Sequence, residues 1–299
     1  MNNTQLFVTN KKQISDIITR YIYLNSLLNL FNNYYRKNKM NIIEIKNLTK
    51  KFKELTAVNN ITFNVKQGEI FAFLGPNGAG KSTTIKMLTT ILPPTSGNIK
   101  VNNYDVKKNK NKVRESIGVI FQDHTLDDEL TAYENLYYHA VLYRIPKKER
   151  KERIEKLLDY VNLLNKKNNF VKTFSGGMKR RIEIARGLLH TPKIIFLDEP
   201  TSGLDVQTKT FLWNHLKKIN KEMKTTIFFT THNMDEAEKI AHKIAIIDNG
   251  KIMINGTLKE IKKKTKTKSL EDSFLQLTGK DIREAHANNL DRMRRRFRK

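Results

Sequence analysis

The chain has 299 residues, 38% hydrophobic and 29% charged, which supplies enough apolar material for a packed core and rules out wholesale disorder. Lys and Arg number 56 against 30 Asp and Glu, a formal net charge of +26 that directs attention to nucleic acid, an anionic membrane surface or a solvated basic exterior. Cys is absent, which excludes disulfides, thiolate metal sites and cysteine-borne lipid anchors and leans towards a reducing compartment.

In residues 1–39, Ile14, Ile17, Ile18, Tyr21, Ile22, Leu28 and Phe31 recur at three- and four-residue steps, which predicts an amphipathic helix. No stretch approaches the ~18 uninterrupted apolar residues of a membrane span. The most apolar one, 14–31, is broken by Asp16, Arg20, Asn25 and Ser26 and lacks the order of a secretory signal. The expectation is a cytosolic protein that spans no membrane by itself. Met40 is a second candidate start, which would leave 1–39 outside the mature product. Residues 1–39, 259–268 and 283–299 each carry a net +5, so most of the excess lies in basic runs and only +11 is spread through the rest. A nucleic-acid-binding domain concentrates charge on a folded face. The distribution favours flanks that are solvated or face a membrane.

From residue 40 strand and helix patterns mix and then alternate. Strands are expected at Asn41–Ile45, Ile61–Val65, Glu69–Leu74, Asn98–Val101 and Ile117–Phe121. Residues 131–164 read as helical, with Pro146 at the first position of a second helix. Lys193–Leu197, Thr226–Phe229 and Lys243–Ile247 are short apolar runs with helical sequence between them, and Asn249-Gly250 reads as a hairpin turn. That rhythm predicts an α/β fold with a mainly parallel sheet covered on both faces.

Gly75, Pro76, Asn77, Gly78, Ala79, Gly80, Lys81, Ser82 and Thr83 satisfy G-x-x-x-x-G-K-S/T between an apolar strand and a helix expected at Thr84–Leu92. The glycines let backbone N–H groups turn inward around phosphates, and the helix start adds its positive dipole end. Lys81 neutralises β/γ-phosphate oxygens, and the Ser82 hydroxyl reaches a Mg²⁺. Further on, the strand Ile194–Leu197 runs into Asp198, placed for a Mg²⁺ shell, and Glu199, placed to polarise an attacking water; such acids after a strand also serve as helix caps. Phe174-Ser175-Gly176-Gly177-Met178 precedes a helix through Leu189, a second anion-receptive helix start.

Together these segments resemble the nucleotide-binding subunit of an ABC transporter over roughly residues 41–280. The signature reads FSGGM rather than the commoner LSGGQ: Phe174 and Met178 depart, while Ser175, Gly176 and Gly177 keep the phosphate-contacting residues. The resemblance implies a P-loop NTPase core in an ATPase domain spanning 41–265, with an N-terminal antiparallel β subdomain and an inserted helical subdomain at about 123–180. Residues 266–299 would form a basic helical extension. It implies that Gln122 contacts metal and relays to the membrane partner, that Asp205 lies in the D-loop Ser202–Asp205, that His232 meets the γ-phosphate, and that Phe52 stacks on adenine, although an aromatic there serves equally well as core packing. ATP and Mg²⁺ are the implied cofactors. The implied partners are an integral-membrane permease and a second ATPase subunit, whose site Ser175–Gly177 would complete; an anionic membrane surface is a further expected contact. The protein would then sit on the cytoplasmic face of the membrane.

Gln122–Thr131 and Ser269–Gly279 are similar to drug-export ATPases of the daunorubicin-resistance type, which implies export of a drug-like or lipid-like substrate. The rival is a non-transport ABC ATPase acting on nucleic acid or ribosomes. The 117 residues from Lys81 to Asp198 leave no room for a long coiled coil, and one cassette is present. A GTPase element is missing: Asn165-Lys166-Lys167-Asn168 lacks the acid of Asn-Lys-x-Asp.

Overall fold

The computed structural model describes residues 40–279. The expected amphipathic helix in 1–39 and the basic tail 283–299 lie outside them. Strands β1 (Asn41–Phe52), β2 (Leu55–Lys66), β4 (Ser96–Val101) and β5 (Tyr104–Asp105) form an antiparallel sheet in the order β2-β1-β4-β5. Strands β3 (Ile70–Leu74), β6 (Ile117–Ile120), β7 (Ile194–Asp198), β8 (Thr226–Thr231), β9 (Lys243–Asp248) and β10 (Lys251–Gly256) form a second sheet in the order β10-β9-β3-β8-β7-β6. All its pairings are parallel except β9–β10, the hairpin turned by Asn249-Gly250.

The apolar runs are continuous because both faces of this sheet are covered. Along β3, Phe71 and Phe73 enter one core while Ile70, Ala72 and Leu74 enter another. The first core lies against the antiparallel sheet and helix α1 (Lys81–Leu88), with Phe63 stacked on Phe71 at 5.4 Å and on Phe73 at 5.5 Å. After α2 (Lys110–Ser116), a third cluster is built from α3 (Ala132–Leu142), α4 (Lys147–Tyr160) and α5 (Gly176–Leu188). The second core is roofed by α6 (Val206–Met223), α7 (Met234–Ile240), α8 (Leu258–Thr265) and α9 (Leu270–Thr278).

Several boundaries differ from expectation. Helix α1 begins at Lys81, straight after Gly80 at φ 103°, and ends at Leu88, because Thr90 at φ 64° turns the chain and the N–H groups of Ile91 and Leu92 bond back to Lys86 O. Pro146 (φ −55°, ψ 135°) is the residue before the helix rather than its first position. The first strand runs to Phe52, held by pairing along β2. In the described part of the C-terminal extension, Leu270 and Phe274 of α9 are buried in the second core.

Candidate functional site

In a parallel sheet, the ends of neighbouring strands open on a common crevice. Here β3 leads into the loop 75–80, β7 ends in Asp198 with Glu199 next, β8 is followed by His232, and β6 is followed two residues on by Gln122. The strand order sets β3, β8, β7 and β6 side by side, so these residues converge although they are scattered over 158 positions of sequence.

A cavity of about 860 Å³ opens there. Phe52, Asn77, Gly78, Gly80, Lys81, Ser82, Thr83, Gln122, Glu199 and His232 line it. Gly75, Pro76 and Ala79 supply backbone to the loop: the carbonyls of Gly75 and Pro76 accept from Lys81 Nζ at 2.9 and 3.1 Å, and the Ala79 carbonyl accepts from Gly250 N. Gly80 cannot carry a side chain, since a Cβ would lie 2.5 Å from the Ala57 carbonyl oxygen. Lys81, Ser82 and Thr83, the first turn of α1, line the cavity, so an anion there would meet the backbone donors of a helix start and the helix dipole together.

Charge is concentrated at the back of the cavity. Lys81 is buried, and Glu199 Oε1 lies 3.2 Å from its Nζ. Burial lowers the Lys81 pKa, with Glu199 and then Asp198 opposing that shift. Glu199 Oε2 lies 3.2 Å from His232 Nδ1. Burial by itself would raise the Glu199 carboxyl, but the hydrogen bond from His232 and the charge on Lys81 outweigh it and bring the pKa to about 2. Asp198 Oδ1 accepts from Ser82 Oγ at 3.1 Å and from Thr230 Oγ1 at 2.6 Å, and Thr230 Oγ1 also accepts from the Glu199 N–H at 2.9 Å. Thr230 therefore ties the two acids together.

Ser82 lines the cavity, and Asp198, buried and not among the lining residues, sets a second hard oxygen beside the Ser82 hydroxyl. Among the described residues no group of three His, Cys, Asp or Glu side chains is arranged to hold a metal. Two oxygens fit a Mg²⁺ that completes its octahedron with phosphate and water, and they fit poorly any metal that demands a protein cage.

Ser175, Gly176, Gly177 and Asp205 are not among the lining residues. Ser175 caps α5, its side chain accepting from Met178 N at 3.3 Å. Asp205 caps α6, with Oδ1 accepting from Thr208 N and Oδ2 from the Thr208 hydroxyl. Thr208 also packs on Gly177, where a Cβ would lie 2.7 Å from its methyl. Unforeseen wall residues are Leu55, Thr56 and Ala57 on β2 and the Asn249-Gly250 turn. Their sequence marked them only as strand and hairpin, and it is the packing of the two sheets that brings them to the cavity.

The family model for the ABC transporter matches residues 58–202. The chain is 38% identical over 244 residues to the linearmycin resistance ATP-binding protein LnrL of Bacillus subtilis (strain 168), covering 82% of this chain and 77% of that one. This chain belongs to the ABC transporter ATP-binding family. Its members hydrolyse ATP, and such cassettes dimerise and act with membrane permeases. The cassette is also 39% identical over 220 residues to the methionine import ATP-binding protein MetN 1 of Bacillus thuringiensis subsp. konkukian (strain 97-27), covering 72% of this chain and 65% of that one. Among solved structures, an ATP-binding subunit of an ABC transporter superposes with a TM-score of 0.73 at 30% identity, covering 79% of this chain and 99% of its own. A dimeric ATP-binding cassette in a post-hydrolysis state with ADP and Pi superposes at 0.66 with 31% identity, over 72% of this chain and 98% of its own. No helix among the described residues is long and apolar enough to cross a membrane.

Proposed function

We propose that this ATPase drives export of a drug-like or lipid-like substrate through a separate permease from the cytoplasmic face of the membrane, two cassettes closing on ATP and reopening after hydrolysis. The hydrolytic part rests on one observation: both oxygens of Glu199 are engaged, one by Lys81 and one by His232. A γ-phosphate bound by Lys81 draws Nζ away and leaves Oε1 to orient an attacking water, while His232 keeps the carboxylate ionised and aimed. Ser82, Asp198 and Gln122 would hold Mg²⁺, whose chemistry is to neutralise the phosphate oxygens as charge develops. Phe52, 43% exposed at the cavity rim, offers a ring face to adenine. Ser175, Gly176, Gly177 and Asp205 are assigned to the face offered to a second copy's nucleotide, which agrees with their lying off this chain's own cavity.

Export is supported by the similarity to a protein named for linearmycin resistance. Import is the second reading, favoured by the similarity to methionine import proteins. The two are separated in cells that make the chain with its permease, by inactivating it and following a fluorescent lipophilic drug and radiolabelled methionine. Retention of the drug with normal methionine uptake is expected; lost methionine uptake with normal drug efflux overturns export.

A further inference from the structure

The segment after β6 carries Gln122 into the cavity, yet its backbone is held from elsewhere. Arg180, on α5, is 2% exposed and pairs with Glu183, also 2% exposed, at 2.9 Å. Its guanidinium donates to the carbonyl of Phe121 and, at 2.9 Å, to that of Gln122. Glu183 Oε1 accepts from the Thr125 N–H at 2.9 Å, and Oε2 lies 3.2 Å from His124 Nδ1. One turn further on, Arg186 donates to the Thr125 carbonyl at 2.8 Å and to its hydroxyl.

We infer that Arg180, Glu183 and Arg186 are positioning residues for Gln122, suspending residues 121–125 from the helix that opens with Ser175-Gly176-Gly177. The chemistry suits this task. A guanidinium is a planar fork that reaches two successive carbonyls at fixed angles, which an ammonium cannot reproduce. A buried ion pair is costly to break singly, so its geometry is stiff. The glutamine of the cavity and the anion-receptive start of α5 are therefore one mechanical body, and a displacement of that helix start is delivered to Gln122 without passing through the sheet. This inference rests on the reading of Gln122 as part of the nucleotide site.

The test is a double-mutant cycle on the full chain, reading kcat, KM for ATP and melting temperature. The variants are Arg180→Lys, Gln122→Ala and their combination, with the charge-free pair Arg180→Leu and Glu183→Leu as a second disruption that strands no buried charge. A misplacement of this kind is expected to lower kcat about tenfold or more, with KM changed less than about twofold. In the Gln122→Ala background the same substitutions should change kcat by less than about twofold, because the residue they position is gone. Any loss of melting temperature should be equal in both backgrounds. Losses in kcat that simply multiply, or full kcat in the charge-free pair, overturn the inference. Full kcat in Gln122→Ala alone overturns the role of Gln122 and the clamp with it, whereas a slow Gln122→Ala enzyme with multiplying losses removes only the clamp.

Discussion

Glu199 sits at φ 47°, in the left-handed region, with its carboxyl at a pKa of about 2. A non-glycine residue there costs of order 1–3 kcal/mol and persists only where its surroundings dictate the conformation, here through the Thr230 hydroxyl that accepts from its N–H. Glu199→Gln keeps the size and removes the carboxylate proposed to act as base, so Pi release should fall about 10²–10⁴-fold while nucleotide binding persists. The folded pKa lies below the ordinary 4.5, so ionised Glu199 stabilises the fold; that contribution is whole above about 4.5 and is lost as pH falls towards about 2. The stability gap between the native chain and Glu199→Gln should therefore narrow across that window in denaturant unfolding followed by tryptophan emission. Thr230→Val strands the Glu199 N–H and removes a donor from Asp198, both buried, and should cost about 1–3 kcal/mol in the same assay. The placement of Lys81, Ser82, Asp198 and Glu199 beside one another was legible because each stands at or shortly after the end of an apolar strand. Thr230 and Arg180 were not, since each acts on a partner 31 to 59 residues away that only the fold supplies.

At the scale of elements, the central strands were legible as short apolar runs, because a strand buried on both faces leaves no polar positions to blur it. Helix ends were less so. Lys81-Ser82-Thr83 reads as loop chemistry, and only the left-handed Gly80 before it shows where α1 starts. The contact between α5 and α6 was invisible in sequence, yet it joins the two caps: Thr208 bonds Asp205 and its methyl packs on Gly177. Gly177→Ala should destabilise by about 1–3 kcal/mol through overpacking. Adding Thr208→Ser removes the offending methyl, keeps a hydroxyl for Asp205, and should recover most of the loss; equal unfolding midpoints for the single and double variants would locate the strain elsewhere.

For the whole molecule, the chain offers one tryptophan, Trp213, buried under β8 and set edge-on to Phe229 at 4.7 Å. Its emission reports the core behind the catalytic strands. Mg·ATP at a hundredfold excess over its Kd should stabilise the fold by about 2.7 kcal/mol, and Lys81→Ala should abolish the shift in melting temperature. Those same strands are gripped from two sides, as Phe71 and Phe73 on one flank and Ile70, Ala72 and Leu74 on the other show for β3. Such a plate has little room to recoil. When a phosphoanhydride is cut against it, yielding is expected instead at the loop around Gln122 and at α3 and α4, whose buried apolar residues belong to the third cluster alone.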